Sequence, residues 1–471
     1  MKIELGNCYS KLTSATDDEA HWLHDYLTFE YVSFGYKGKR KVRYLKLLNR
    51  INKTFPSGLT SLIKKVAERD EGFLVEISDT RGAPVKDSEI NADKADWLYA
   101  HQREGVERVI QEKRGIVWVP TGGGKTEIAI GLTVAIPCRW LFLVHRGTLL
   151  HQAAKRYELR TGKKAGLIGD GLWSEEEFTV ATFQNLWAKR DTPEAKKLLA
   201  SIDGLMVDEA HVLPATSFWS TVMSIDAYYR VGLSGTPLVR GDKRSTFTVG
   251  ALGPTIYRVR PQTLIDIGIL AKPSIQLVPV QQVYHAKRRM YQNVYKTLIV
   301  SSKVRNERIV EIAKIATKPS LIFVQRIRHG KLLLKMLRDT GINVELVDGK
   351  HATGARKTYI EALERGDLDV LICTVIFQEG VDIPDLQSVI IAIGGASSIA
   401  AIQRMGRGMR KVAGKTTFEV WDIMDTGDKW LEKHSRERGR AYLDEGHEVR
   451  VGPIAGPTAP FKVRRRKRRP A

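Results

Sequence analysis

The residues best placed to do chemistry lie in Val119–Ala129, VPTGGGKTEIA. An apolar run, Gly115–Val119, leads into three consecutive glycines, and Lys125-Thr126 opens a helical stretch. Glycines lack a Cβ, so their amides can close around phosphate oxygens, and a helix start adds its positive dipole end. In such a loop Gly122, Gly123 and Gly124 form the cradle, Lys125 reaches the β- and γ-phosphates, and the Thr126 hydroxyl sits on Mg²⁺. The strict pattern has glycine where Val119 stands, so the loop is a variant form. A second group, Leu205-Met-Val-Asp-Glu-Ala-His211, brings two carboxylates to the end of an apolar strand. Asp208 is expected to hold Mg²⁺ through its water shell and Glu209 to polarise the attacking water. His211 fits a capping or packing role as well as a coupling one.

Such groups need strands that end at a common edge. From Trp97 the sequence alternates short apolar runs (Leu141–Val144, Phe178–Ala181, Leu205–Val207) with helix-length segments. A second series follows from residue 303, with Leu321–Val324, Val344–Val347, Val370–Cys373 and Val389–Ile393. Continuous apolar strands joined by helical crossovers predict parallel sheets covered on both faces, hence two consecutive α/β domains. Residues 1–92 mix alternating stretches, Val32/Phe34/Tyr36 and Phe73/Val75/Ile77, with helical ones, and predict a small α+β domain. The expected divisions are 1–92, an accessory DNA-binding domain; 93–255; a connector, 256–302; 303–450; and a basic, disordered tail, 451–471. The polar stretch Lys86–Asp96 reads as a linker.

The chain has 471 residues, 43% hydrophobic and 27% charged, enough for several cores, and a net charge of +22 that points to a polyanionic partner. Residues 37–53 carry eight basic residues and no acid, and Lys462–Arg469 carries seven basic residues in eight. Lys39, Arg40, Lys41 and Arg43, with Tyr36 and Tyr44 among them, suit a nucleic-acid groove. Alternatively, Val42, Leu45, Leu48 and Ile51 form a helix packing face and the lysines are merely solvated. The apolar runs are too short to span a bilayer, and no membrane partner is expected. MKIELGNCYSK has no apolar signal core, and the three scattered cysteines give neither a zinc pattern nor a disulfide framework, so a cytoplasmic compartment is expected.

With these groups in order, residues 97–443 resemble the superfamily 2 helicases, whose motors are two tandem RecA-like domains. The resemblance makes Gln102 in LYAHQREGV the adenine-reading glutamine, although Tyr99 stands where a basic residue is common. Ser234-Gly-Thr-Pro237 resembles the coupling motif, with Ser234 and Thr236 linking nucleotide to domain movement. Thr374–Pro384 (TVIFQEGVDIP) implies contacts to nucleotide or the neighbouring domain by Gly380 and Asp382. Gln403–Arg410 (QRMGRGMR) implies arginine fingers at Arg407 and Arg410. ATP would then lie between Lys125, Thr126 and Asp208 on one wall and the two arginines on the other. The resemblance places nucleic-acid contacts at Arg146, Gln152, Thr182, Gln184 and Thr374.

The local wording (VPTGGGKT, VDEAH, GLSGTP, QRMGRGMRK, and Asp425–Gly446) is similar to the XPB and phage UvsW branch. That implies a monomeric motor on branched or forked DNA, or on RNA–DNA hybrids, largely without sequence preference, in a phage-infected or bacterial cell. Structured RNA as the track, a restriction-enzyme motor, and a binding module with a dead nucleotide site are the alternatives. No D…ExK set occurs in residues 1–92, and Glu194-Ala-Lys196 lies inside the motor region.

Overall fold

Consecutive apolar residues, rather than alternating ones, build the two large sheets, because both faces of each are covered by helices. The computed structural model describes residues 1–34, 40–235, 245–284, 290–349, 353–374, 383, 385–395, 406 and 415–462. It divides into two compact units, Met1–Val119 with Gly124–Val259, and Pro120–Gly123 with Arg260–Ala471.

The first unit opens with β1 (Lys2–Leu5), β2 (Tyr9–Ser14), β3 (Thr28–Phe34), β4 (Arg40–Lys46), β5 (Thr54–Pro56) and β6 (Glu76–Asp79). Four of these form a small sheet, β5-β2-β1-β6, while β3 and β4 pair only with each other as an antiparallel ribbon. From Arg40 on, the basic run therefore lies on a strand and its following turn. The helical packing face is corrected: β4 pairs residue for residue with β3, and alternation sends Val42 and Tyr44 to one side and Arg43 to the other.

A larger sheet follows, made of β7 (Arg114–Trp118), β8 (Trp140–Val144), β9 (Gly166–Gly169), β10 (Leu172–Trp173), β11 (Phe178–Thr182), β12 (Gly204–Val207), β13 (Tyr229–Ser234) and β14 (Thr255–Arg258). Its order is β10-β9-β11-β8-β12-β13-β7-β14, and every neighbouring pair is parallel except β9 with β10. The amino-terminal region is packed onto this sheet. Cys8 lies in the same core as Ile116, Leu141 and Leu205. The fully buried Arg230 donates to the carbonyls of Ala251 (2.8 Å), Ile225 (2.5 Å) and Val222 (2.8 Å) and to Cys8 Sγ (3.4 Å). The stretch read as a linker is also docked: Ala95 is fully buried, and the Asn91 N–H donates to the Ala135 carbonyl at 2.9 Å.

The second unit contains β15 (Lys272–Gln281), β16 (Ser320–Val324), β17 (Val344–Val347), β18 (Val370–Thr374), β19 (Ser388–Ile391), β20 (Thr417–Thr426), β21 (Val449–Val451) and β22 (Ala459–Pro460), in the order β17-β18-β16-β19-β20-β15-β21-β22. The segment read as a connector is corrected here. Lys272–Gln281 is an integral strand, paired along its full length with β20, because Pro273 and Pro279 fall in a strand whose buried positions alternate. The start of the segment read as tail is likewise sheet, β21 against β22. Two buried ion pairs fix helices to β20: Arg438 with Asp422 (2.8 Å), and Arg305 with Asp425 (2.8 Å).

This unit also buries histidines. His329 Nε2 lies 2.8 Å from Asn306 Oδ1, and burial, then the nearby Arg305, pushes its pKa down to about 3. Burial alone pushes His447 down to about 4. An unfolded chain takes up these protons near pH 6.5, so below that pH it binds more protons than the folded one. Their contribution to stability is fully present above pH 6.5 and is lost as pH falls toward the folded values. Amide exchange from β16–β20 is therefore expected to show a lower opening free energy at pH 5 than at pH 7.5, with His329→Asn narrowing the gap. Equal protection at both pH values contradicts this.

Candidate active site

Parallel strands deliver their carboxyl ends, and the loops that follow, to one edge. At that edge of the first unit β12, β13 and β7 are adjacent, so three sequence groups converge. After β7, Gly122 and Gly124 both have φ of 88°, the left-handed region that glycine tolerates, and the helix Lys125–Ala135 begins. A Cβ on Gly124 would run into the Gln102 side-chain amide. Gln102 is itself buried, and its Oε1 accepts from the Tyr99 N–H at 3.1 Å. The structure thus places Gln102 as a brace against the phosphate loop. Ser234, fully buried at the end of β13, accepts the Val119 N–H through its carbonyl at 3.0 Å, tying the coupling segment to the start of that loop.

The carboxylates follow β12. The Asp208 N–H donates to the Leu143 carbonyl at 2.9 Å, and Glu209 turns sharply away with φ of 48°. That left-handed geometry costs a non-glycine residue on the order of 1 kcal/mol. Lys125 Nζ lies 3.8 Å from Glu209 Oε1, and His211 Nδ1 lies 3.3 Å from Glu209 Oε2. Burial, then the adjacent Glu209, raises the Asp208 carboxyl above its ordinary range. Burial would raise Glu209 too, but Lys125 and His211 outweigh it and hold Glu209 low and ionised. Lys125 and His145 offset the Asp208 charge only in part, and two adjacent carboxylates of this kind invite a cation. A glycine cradle, a lysine, a hydroxyl and this acidic pair match a magnesium-bound nucleoside triphosphate in donor chemistry.

The strands beside β12 carry the other candidate residues. Arg146 caps the helix Gly147–Thr161 after β8, and Gln152 is exposed on its second turn. Gln184 is exposed and donates from Nε2 to the His145 carbonyl at 3.1 Å. Thr182 is different: it is buried, and its hydroxyl accepts from Asn185 at 2.8 Å, so it acts as a strand-end cap. Thr374, at the end of β18 in the second unit, is buried as well. Lys39, Thr236, Gly380, Asp382, Arg407 and Arg410 lie outside the described residues, as do the side chains of Arg40 and Lys41. Arg43 is exposed.

Sequence reasoning missed Glu127. From the first turn of the phosphate-loop helix it meets Arg156 (2.8 Å) and Arg160 (2.9 Å), binding that helix to Gly147–Thr161. The spacing Arg156/Arg160, one helical turn, is the signal that could have revealed it. Gly124→Ala is expected to weaken nucleotide binding at least tenfold, since the new methyl group meets the Gln102 amide and the backbone needs positive φ. Glu209→Gln is expected to keep nucleotide binding while lowering turnover at least a hundredfold. Fluorescent-nucleotide binding together with phosphate release tests both, and normal turnover in Glu209→Gln contradicts the assignment.

The family described as Type III restriction enzyme, res subunit, matches residues 97–239, and the helicase conserved C-terminal domain matches residues 303–412. Helicase 22 of the Sulfolobus islandicus filamentous virus is 29% identical over 346 residues, 68% of this chain and 62% of its own length, so the match spans under two thirds of that relative. The ATP-dependent DNA helicase uvsW of Enterobacteria phage T4 is 25% identical over 486 residues, covering 90% of this chain and 93% of that protein. A solved fragment of an HsdR subunit of a type I restriction enzyme from Vibrio vulnificus is 18% identical, with a TM-score of 0.60 over 94% of this chain and 83% of that one, which is likeness of fold. Two RecA-like sheets in tandem, each overlapping one of the matched regions and the first carrying the phosphate-loop and Asp-Glu groups, place this chain in superfamily 2 of the helicases, as an ATP-dependent enzyme.

Proposed function

We propose that this chain is a DNA helicase or translocase that remodels branched DNA, such as Holliday junctions, forks, displacement loops or RNA–DNA loops, in recombination, repair or replication. The observation that carries it is the shared edge of the first unit. The Lys125/Asp208/Glu209 group follows β7 and β12, and the Arg146 and Gln184 group follows the neighbouring strands β8 and β11. The T4 relative, named a DNA helicase, aligns over 90% of the chain, more than the motor region alone.

Bound ATP would supply the phosphoanhydride whose cleavage drives movement. Lys125 would leave Glu209 for the phosphates, and Thr126 with Asp208 would hold Mg²⁺. The same cation would offset the remaining charge on Asp208. Glu209, held ionised, is too weak a base to strip water of a proton in the ground state, so its role is to orient and polarise the attacking water. Arg407 and Arg410 would stabilise charge on the γ-phosphate. Arg146, Gln152 and Gln184 would contact the DNA backbone, giving affinity without sequence preference. The motor would work as a monomer in the cytoplasm.

ATPase stimulation and strand separation should be compared on single-stranded DNA, blunt duplex, fork, four-way junction and RNA duplex. Preference for the fork and junction is expected, and stimulation by RNA alone overturns the proposal. Removing residues 462–471 is expected to lower the salt dependence of DNA binding, because fewer counterions are released. An unchanged slope of log affinity against log salt removes the tail from the DNA.

A further inference from the structure

The β3–β4 ribbon forms no backbone ladder with any other described strand. Such a ribbon can hold apolar side chains only by packing them on something, yet two of its side chains are left in water: Val42 is 46% exposed and Tyr44 63%. They are two residues apart on β4, so they share a face, with Lys46 next along it and Glu30 opposite Tyr44. In the turn after β4, Ile51 is 91% exposed. Phe29 and Leu45, paired on the other face, are half-buried. The ribbon thus has an inner face turned toward the domain and an outer one carrying a ring and a branched apolar chain.

Exposed cations accompany that outer face: Lys46 shares it, Arg50 and Lys53 follow in the turn, and Arg43 stands on the opposite side of β4; among the described residues none of the four is paired with a carboxylate. A polyanion therefore fits the surface, and a ring among cations distinguishes one kind of polyanion. Along a closed duplex the bases are stacked and only phosphates are offered. At a branch point a terminal base pair or an unpaired base presents an open π-face.

We propose that the β3–β4 ribbon is a base-stacking arm: Tyr44, flanked by Val42, receives an unstacked base at a DNA branch point while Lys46, on the same face, holds an adjacent phosphate. This rests on the branched-DNA proposal and narrows it to a residue. Tyr44 supplies preference for open ends, and the cations supply salt-dependent affinity for any DNA. The ribbon belongs to the same compact unit as the phosphate loop's helix, so an arm holding a branch point moves with that motor unit.

The test uses the full chain without ATP and a fork carrying 2-aminopurine at the first unpaired position. Stacking on Tyr44 is expected to change its fluorescence on binding. Tyr44→Ala is expected to remove most of that change and to weaken fork binding about tenfold, the size of one lost base–ring stack. Binding to a flush duplex should stay within about twofold, and Tyr44→Phe should retain the signal. Lys46→Ala should keep the 2-aminopurine change at saturation but reduce the salt slope by about one. An undiminished 2-aminopurine signal in Tyr44→Ala overturns the proposal. So does loss of wild-type self-association in that variant with the fork signal intact, which assigns the face to a second copy. Because the readout needs no turnover, a chain that stacks the base but fails to remodel forks refutes the branched-DNA proposal and leaves the arm standing.

Discussion

Everything functional in the first unit depends on one constraint: parallel strands all end at the same edge, and backbone hydrogen bonds fix how far each reaches. The Asp208 N–H on the Leu143 carbonyl and the Val119 N–H on the Ser234 carbonyl lie just beyond the regular ladder. They extend strand pairing by one residue, so carboxylate, glycine loop and coupling serine are in register before any side chain contributes. Side chains then act over short distances. Lys125 and His211 keep Glu209 ionised, while for Asp208 burial and the neighbouring Glu209 outweigh the help of Lys125 and His145. The protein has arranged an electrostatic imbalance at a place where a bound cation would correct it.

A second device makes the amino-terminal region part of the motor. Arg230 is fully buried, has no carboxylate partner among the described residues, and donates its guanidinium to three carbonyls from the chain between Val222 and Ala251. Those bonds hold together the pocket that receives Cys8, which itself donates to the Ile225 carbonyl at 3.1 Å. Nearby, Arg114 donates to the Asn7 carbonyl at 2.8 Å, and burial beside Arg230 lowers its pKa to about 9. Close backbone approach completes the join. A Cβ on Gly58 would collide with the carbonyls of Val249 and Gly250, so glycine is required there. A surface on the amino-terminal sheet is therefore carried with the phosphate-loop helix.

Strands β7, β8, β11, β12 and β16 to β19 were legible because each is a short, unbroken apolar run, and the phosphate loop and Asp-Glu pair were legible because their chemistry needs fixed residue types at fixed spacing. What escaped notice has a common physical origin. β15 carries two prolines and alternates in burial, so it looked like a connector, although an alternating strand with one half-solvated face fits near a sheet margin. The Lys86–Asp96 stretch is polar in composition, but its docking uses backbone groups and one small side chain, which composition does not record. Thr182 carried a contact role by pattern, yet its hydroxyl is turned inward to Asn185. The clamp of Glu127 on Arg156 and Arg160 joins residues on two helices whose contact depends on the crossing of the chain.

The large positive charge can now be divided by burial. Buried arginines are committed to structure: Arg305 to Asp425, Arg438 to Asp422, and Arg230 to carbonyls. Each is fully satisfied where it sits, and removing a partner would leave a desolvated charge. Such residues add to the formal charge but project little field, because their partners lie within hydrogen-bond distance. Arg43, Lys46, Arg50 and Lys53 of β4 and its turn are the opposite case, exposed and, among the described residues, without carboxylate partners. Repulsion among them is a standing cost to the folded ribbon, and it is relieved by binding a chain of phosphates. A solvated face meant only for solubility would have no use for an exposed ring. The combination of unrelieved charge and unburied Tyr44 therefore makes the ribbon a surface completed by its substrate.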